Sequence, residues 1–155
     1  MSSSKRIDED CLSLAKAQGE IFEASSSLSI PSYRFLSSFM RSHSAASLDG
    51  FPLEDPSFSK EGAIAEAKKE SEGASGAVYG AGELHWMGYI YRVISYLYGF
   101  PSKRVLKEIP PSYLRAVYQP YHTMDPSKAA QIILSDRGIS PETKEGRLES
   151  MMKAR

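Results

Sequence analysis

The chain has 155 residues, a length that suits one domain with a core of modest size. Its 19 basic and 19 acidic side chains cancel, which argues against binding nucleic acid through bulk charge. One cysteine, Cys11, excludes an internal disulfide and points to a reducing, cytoplasmic setting; no run is long enough for a membrane helix, and the start lacks the apolar stretch of a secretory signal.

The first helix is predicted from about Asp8 to Ala24. Ile7, Cys11, Leu14, Ala15, Gln18, Ile21 and Phe22 follow three-to-four spacing, with Gln18 the polar exception. Asp8, Glu9 and Asp10 suit its positive dipole end, and Gly19 weakens it. The serines at 25, 26, 27 and 29 read as a helix end and loop, because their hydroxyls compete for backbone hydrogen bonds. Ser32 is the predicted cap of a second helix, Tyr33 to about His43, with Phe35, Leu36, Phe39 and Met40 on its apolar face. The turn signal Asp49-Gly50-Phe51-Pro52 follows.

Residues 53–82 are acidic, small and glycine-rich towards their end. They read as a weakly ordered connection, with a short exposed helix from Ser59 to about Glu70 on Ala63, Ile64 and Ala67. The strongest helix follows, at about 83–98. Trp86, Ile90, Val93 and Leu97 repeat at helical spacing, and Met87 and Ile94 widen the stripe until the helix is nearly apolar all round. Such a helix belongs at the centre of a core, with Trp86 and Ile90 buried against Ile21, Phe35 and Phe39. Gly99 and Pro101 end it. Short helices are predicted from Ser102, as cap, to Ile109, from Ser112 to about Tyr118, and from the Asp125-Pro126 start signal to Gly138.

No alternating strand pattern occurs. The expected fold is all-α: a compact bundle of about five to seven short helices around the central one, with a mobile glycine-rich connection before it. A single domain spans 1–155, with 1–6 and about 139–155 as mobile ends.

Nine of the 16 aromatics lie between Trp86 and Tyr121, interleaved with Arg92, Lys103, Arg104, Lys107 and Arg115. That density fits a tyrosine-rich core, a protein interface, or a base-stacking surface. On the central helix His85, Tyr89, Arg92 and Tyr96 share one stripe, the polar side of an otherwise apolar element. These four are the candidate partner-binding residues. Acid–base work by His85 with a tyrosine lacks a carboxylate on the same stripe to orient the imidazole, so no catalytic residues are assigned. His43, His85 and His122 have no metal-ligand spacing, and no metal or cofactor is expected. Gly76, Gly80 and Gly82 match neither a dinucleotide nor a P-loop fingerprint. Residues 25–43 have a helix–turn–helix flavour, with Arg34, Arg41 and His43 on the second helix, and DNA binding there is the alternative reading.

Glu20-Ile21-Phe22, Phe35 to Ser42, Glu83 to Arg92, Ser102 to Ile109, and Tyr121 to Pro126 occur in an order that resembles a small bacterial family labelled as antitoxin components of toxin–antitoxin systems. The similarity spans roughly residues 10–135. This chain departs from the family pattern in having His85 where tyrosine is usual and in its glycine-rich insertion. The resemblance implies a cytoplasmic, non-catalytic protein that binds and neutralises a cognate toxin, some such toxins being ADP-ribosyltransferase-like. It supplies no catalytic residues.

Overall fold

A computed structural model describes residues 7–50 and 57–140, so the expectations for 1–6, 51–56 and 141–155 lie outside the described residues. Within them the chain is all-helical. Its elements are α1 (Glu9–Ser25), a 3₁₀ turn (Ser26–Leu28), α2 (Ser32–Met40), α3 (His43–Asp49), α4 (Lys60–Ser71), α5 (Ala81–Tyr98), α6 (Ser102–Glu108), α7 (Pro111–Tyr121) and α8 (Pro126–Asp136).

The two longest helices, α1 and α5, cross at the centre. Asp8 starts α1 by accepting the Cys11 amide at 2.9 Å. The crossing is close because glycine faces each helix from the other. A Cβ on Gly88 would lie 2.6 Å from the Gln18 carbonyl oxygen, and one on Gly19 would lie 2.9 Å from that of His85. Gly19 therefore trades helix propensity for backbone approach. Around the crossing, Phe22 meets Phe39, Phe35 and Tyr91 edge-on at centroid distances of 5.5, 6.4 and 6.4 Å. Ile90, Val93 and Leu97 are buried as predicted. Trp86 is not: it is half-buried at the rim, packed edge-on to Tyr118 at 5.7 Å.

The helix predicted over 33–43 is two helices, which brings the described helices around α5 to seven, the upper end of the expectation. Ser42 divides them. Its extended backbone (φ −84°, ψ 165°) stops α2, its hydroxyl donates to the Phe39 carbonyl at 2.6 Å, and the same oxygen accepts the Ala45 amide at 3.1 Å to start α3.

Ser32 and Ser102 are not the caps the sequence suggests. Pro31 and Pro101 occupy those positions, and both serines sit one residue inside, fully buried. The Ser32 hydroxyl accepts the Tyr79 amide at 2.8 Å, and its own amide donates to the Ala77 carbonyl at 2.9 Å. The connection before α5 is thus tied to the start of α2. Helix α4 is present nearly where predicted, but packs on α2 through buried Ala63, Ala67 and Ser71. At the other end, Gly138 (φ +67°) closes α8, and Ile139, expected to belong to the mobile end, is buried with its amide on the Leu134 carbonyl.

Candidate functional site

The four residues proposed from the stripe on the central helix divide between two places. Arg92 and Tyr96 line a small pocket of about 160 Å³ beside Leu48, Asp49, Ser95, Gly99, Phe100 and Pro101. His85 and Tyr89 line a separate groove.

Arg92 is 1% exposed and has no surface to offer a partner, which corrects its place in the stripe. Every nitrogen of its guanidinium is used internally. Nε donates to Gln18 Oε1 at 2.8 Å, one terminal nitrogen to Asp49 Oδ1 at 2.6 Å and Ser95 Oγ at 3.2 Å, and the other to Ser102 Oγ at 2.8 Å. Asp49 in turn accepts the Ser102 amide at 2.9 Å and its hydroxyl at 2.7 Å. Gln18 Nε2 donates to the Gly88 carbonyl at 3.0 Å. One cation thus joins α1, α3, α5 and α6. Burial pulls the guanidinium below its ordinary value, against the opposing pull of Asp49. The sequence hint was Gln18, the single polar residue on an apolar face; its partner was invisible because it lies 74 residues away.

Tyr96 donates to Asp8 Oδ2 at 3.2 Å, joining the end of α5 to the start of α1. Burial foremost, and then Asp8, push its phenol up.

The groove has about 300 Å³ of space between α5, α7 and the turn that leads into α8, lined by Gly82, His85, Trp86, Tyr89, Tyr118, His122, Met124 and Pro126. Helical spacing sets its walls. His85 and Tyr89, one turn apart on α5, lie nearly parallel with centroids 6.3 Å apart. Tyr118 and His122, one turn apart on α7, stack at 4.2 Å. The glycine at 82 leaves room for the Tyr118 hydroxyl, 3.5 Å from where a Cβ would stand.

Both imidazoles are oriented. His85 Nδ1 bonds Glu23 Oε1 on α1 at 2.9 Å, and His122 Nδ1 bonds the Tyr118 carbonyl at 2.7 Å. Carboxylate and carbonyl oxygens only accept, so in each ring Nδ1 carries the proton. The carboxylate that the stripe on α5 lacks is therefore supplied by α1. The other side of the His85 ring rests on Gly19, with Nε2 about 3.0 Å from where a Cβ there would stand. The groove lining holds no serine, cysteine or carboxylate to serve as nucleophile or base. Among the described residues no group of three or more His, Cys, Asp or Glu is placed to hold a metal ion, and no helix is long and apolar enough to cross a membrane.

The alternative segment, 25–43, gives α2 with Ser32, Phe35, Leu36, Ser37, Phe39 and Met40 buried. Of its candidate contact residues, Tyr33, Arg34, Arg41 and His43 are exposed. Arg34 and Arg41 flank a cleft closed on its far side by Glu66 and Glu70.

Compared with known proteins, the chain matches no family model, no curated relative and no solved structure.

Proposed function

We propose that this protein is a non-catalytic binding protein of the antitoxin kind, which neutralises a cognate toxin by covering it, and that the α5–α7 groove is its docking surface. The observation that carries the reading is the groove itself. Trp86 and Tyr89 on α5 and Tyr118 on α7 are partly open to solvent there. Aromatic side chains of this kind dominate binding energy when desolvated at the centre of an interface. The resemblance of the Glu83 to Arg92 and Tyr121 to Pro126 stretches to antitoxin components falls on the same walls.

DNA binding through 25–43 is the weaker reading. The face of α2 that would enter a groove is largely buried, and two glutamates stand beside its two arginines.

The test is growth rescue. The chain is co-expressed with the toxic product of the neighbouring gene, alongside a Trp86→Ala, Tyr118→Ala double variant whose thermal melting is measured in parallel. Rescue by the native chain and its loss in a folded double variant are expected. Failure of the native chain to rescue contradicts the antitoxin reading; full rescue by the double variant moves the interface away from the groove.

A further inference from the structure

The docking reading leaves open what the partner presents. Resting on it, we infer that the α5–α7 groove receives an uncharged aromatic side chain of the partner, which seats against His85 and His122 only while both imidazoles are neutral.

The first observation is electrostatic. The lining contains no lysine, arginine, aspartate or glutamate. The charges around it are engaged inside the molecule. On α1, Glu23 holds His85 Nδ1 at 2.9 Å, and Glu20, also within reach of His85, is paired with Lys60 at 2.7 Å beside Lys16. On α5, Glu83 takes Arg115 of α7 at 3.1 Å. At the turn into α8, Asp125 accepts the Ser127 hydroxyl and the Lys128 amide, with the Lys128 side chain acting on it too. A charged group entering the groove would shed its water with no opposite charge on the lining to replace it. An uncharged apolar group sheds water at a gain.

The second observation is the shape of the walls. Tyr89 and Tyr118 are each stacked with an imidazole, His85 and His122 respectively. Trp86 has Tyr118 as its one ring contact among the described residues, at 5.7 Å and 66°. Two rings so inclined make a corner that suits a third. The core is built in the same way, with Phe22 edge-on to Phe35, Phe39 and Tyr91. About 300 Å³ of space admits a six-membered ring and its linker, since a cavity of about half that volume holds benzene.

The third observation is the state of the two imidazoles. Each Nδ1 is tied internally, that of His85 to Glu23 and that of His122 to the Tyr118 carbonyl. A further proton on either ring goes to Nε2, which has no hydrogen-bond partner among the described residues. It puts a positive charge on the groove wall, where water solvates it while the groove is open. A seated apolar ring removes that water and supplies no acceptor. The occupied groove therefore binds the proton less well than the empty one, and by linkage acid weakens the occupant.

Trp86 is the sole tryptophan, so its fluorescence reports occupancy. The native chain is titrated at about pH 8 with N-acetyl-phenylalanine methylamide, with its 4-carboxy and 4-aminomethyl derivatives, and with N-acetyl-leucine methylamide. Saturable binding of the phenylalanine compound in about the millimolar range is expected, with each of the other three at least about threefold weaker. Between about pH 8 and pH 5.5, across which histidine changes charge, the phenylalanine compound should weaken by at least about fivefold. In the double variant His85→Gln, His122→Gln the same loss should shrink to less than about twofold. Should that variant not fold, the histidine Cε1 proton signals of the native chain decide. Saturating phenylalanine compound is expected to move the titration of His85 and His122 to lower pH and to leave His43, which lines a different cleft, unmoved. Equal binding of a charged derivative, equal or tighter binding of the leucine compound, binding that is unchanged or strengthened by acid, or no saturable change overturns the inference. Each of these results leaves the docking reading standing if rescue still depends on Trp86 and Tyr118, so the two can fail separately.

Discussion

Arg92 shows how one side chain can look like an interface anchor and be a structural tie. Its stripe-mates His85, Tyr89 and Tyr96 are partly exposed, yet Arg92 points into the junction of α1, α3, α5 and α6 and is matched by Asp49. Removing one member of a buried ion pair leaves the other charge uncompensated. The Asp49 carboxylate is 20% exposed and can be rehydrated, whereas the Arg92 guanidinium cannot. Asp49→Ala should therefore cost about 3–5 kcal/mol in urea unfolding, and Arg92→Met should cost less than Asp49→Ala. The reverse order would show that the pair is wetter than described. The same scale governs the response to acid. Asp8, Asp125 and Asp136 have their carboxyls held below the ordinary value of 3.8: Asp8 by the Cys11 amide, Asp125 by the Ser127 hydroxyl, and Asp136 by the Tyr121 and Tyr113 hydroxyls. A carboxyl depressed in the folded state stabilises it above the unfolded value and loses that contribution as pH falls through the folded value. Their contribution to the urea midpoint should thus be flat from pH 7 to 5 and fall below about pH 4. Asp136→Asn should make the acid loss shallower; an unchanged acid profile would contradict the role given to its two tyrosine donors.

At the scale of elements, the α1–α5 crossing explains two glycines that propensity alone counts as weak points. Gly88→Ala would drive a Cβ to 2.6 Å from the Gln18 carbonyl and 2.9 Å from the Phe22 ring. Since the obstacle includes backbone, the helices must part, at about 1–3 kcal/mol. Chemical denaturation measures this, and a neutral Gly88→Ala would mean that the crossing is looser than its geometry. The helices themselves were largely legible in the sequence. The 3.6-residue pattern located α1 and α5 to within two residues at each end, and Asp125-Pro126 marked the start of α8, because these signals are local. What escaped was tertiary. Ser42 works in two directions, Ser32 and Ser102 give up capping for partners 47 and 53 residues distant, and α4 gains a buried alanine face from α2. A hydroxyl's choice between its own helix and a distant one cannot be read from neighbours in sequence. The groove was half legible: His85 and Tyr89 were singled out, while Trp86 was assigned to the core and Tyr118 and His122 were passed over, since rim and interior aromatics share the same helical spacing.

Across the whole molecule, the proposed docking role places stability and recognition on different sides of α5. One side, through Gly88 and Arg92, locks the bundle; the other, through His85, Trp86 and Tyr89, faces the groove. Substitutions on the two sides should therefore separate, with Asp49→Ala lowering the melting temperature and Trp86→Ala mainly lowering partner affinity. The most direct measurement is amide hydrogen exchange on the chain alone and in complex with the neighbouring gene's product. The account predicts added protection over residues 82–90 and 118–126, with residues 33–41 unchanged. Protection confined to 33–41, or none in either stretch within a stable complex, would contradict it.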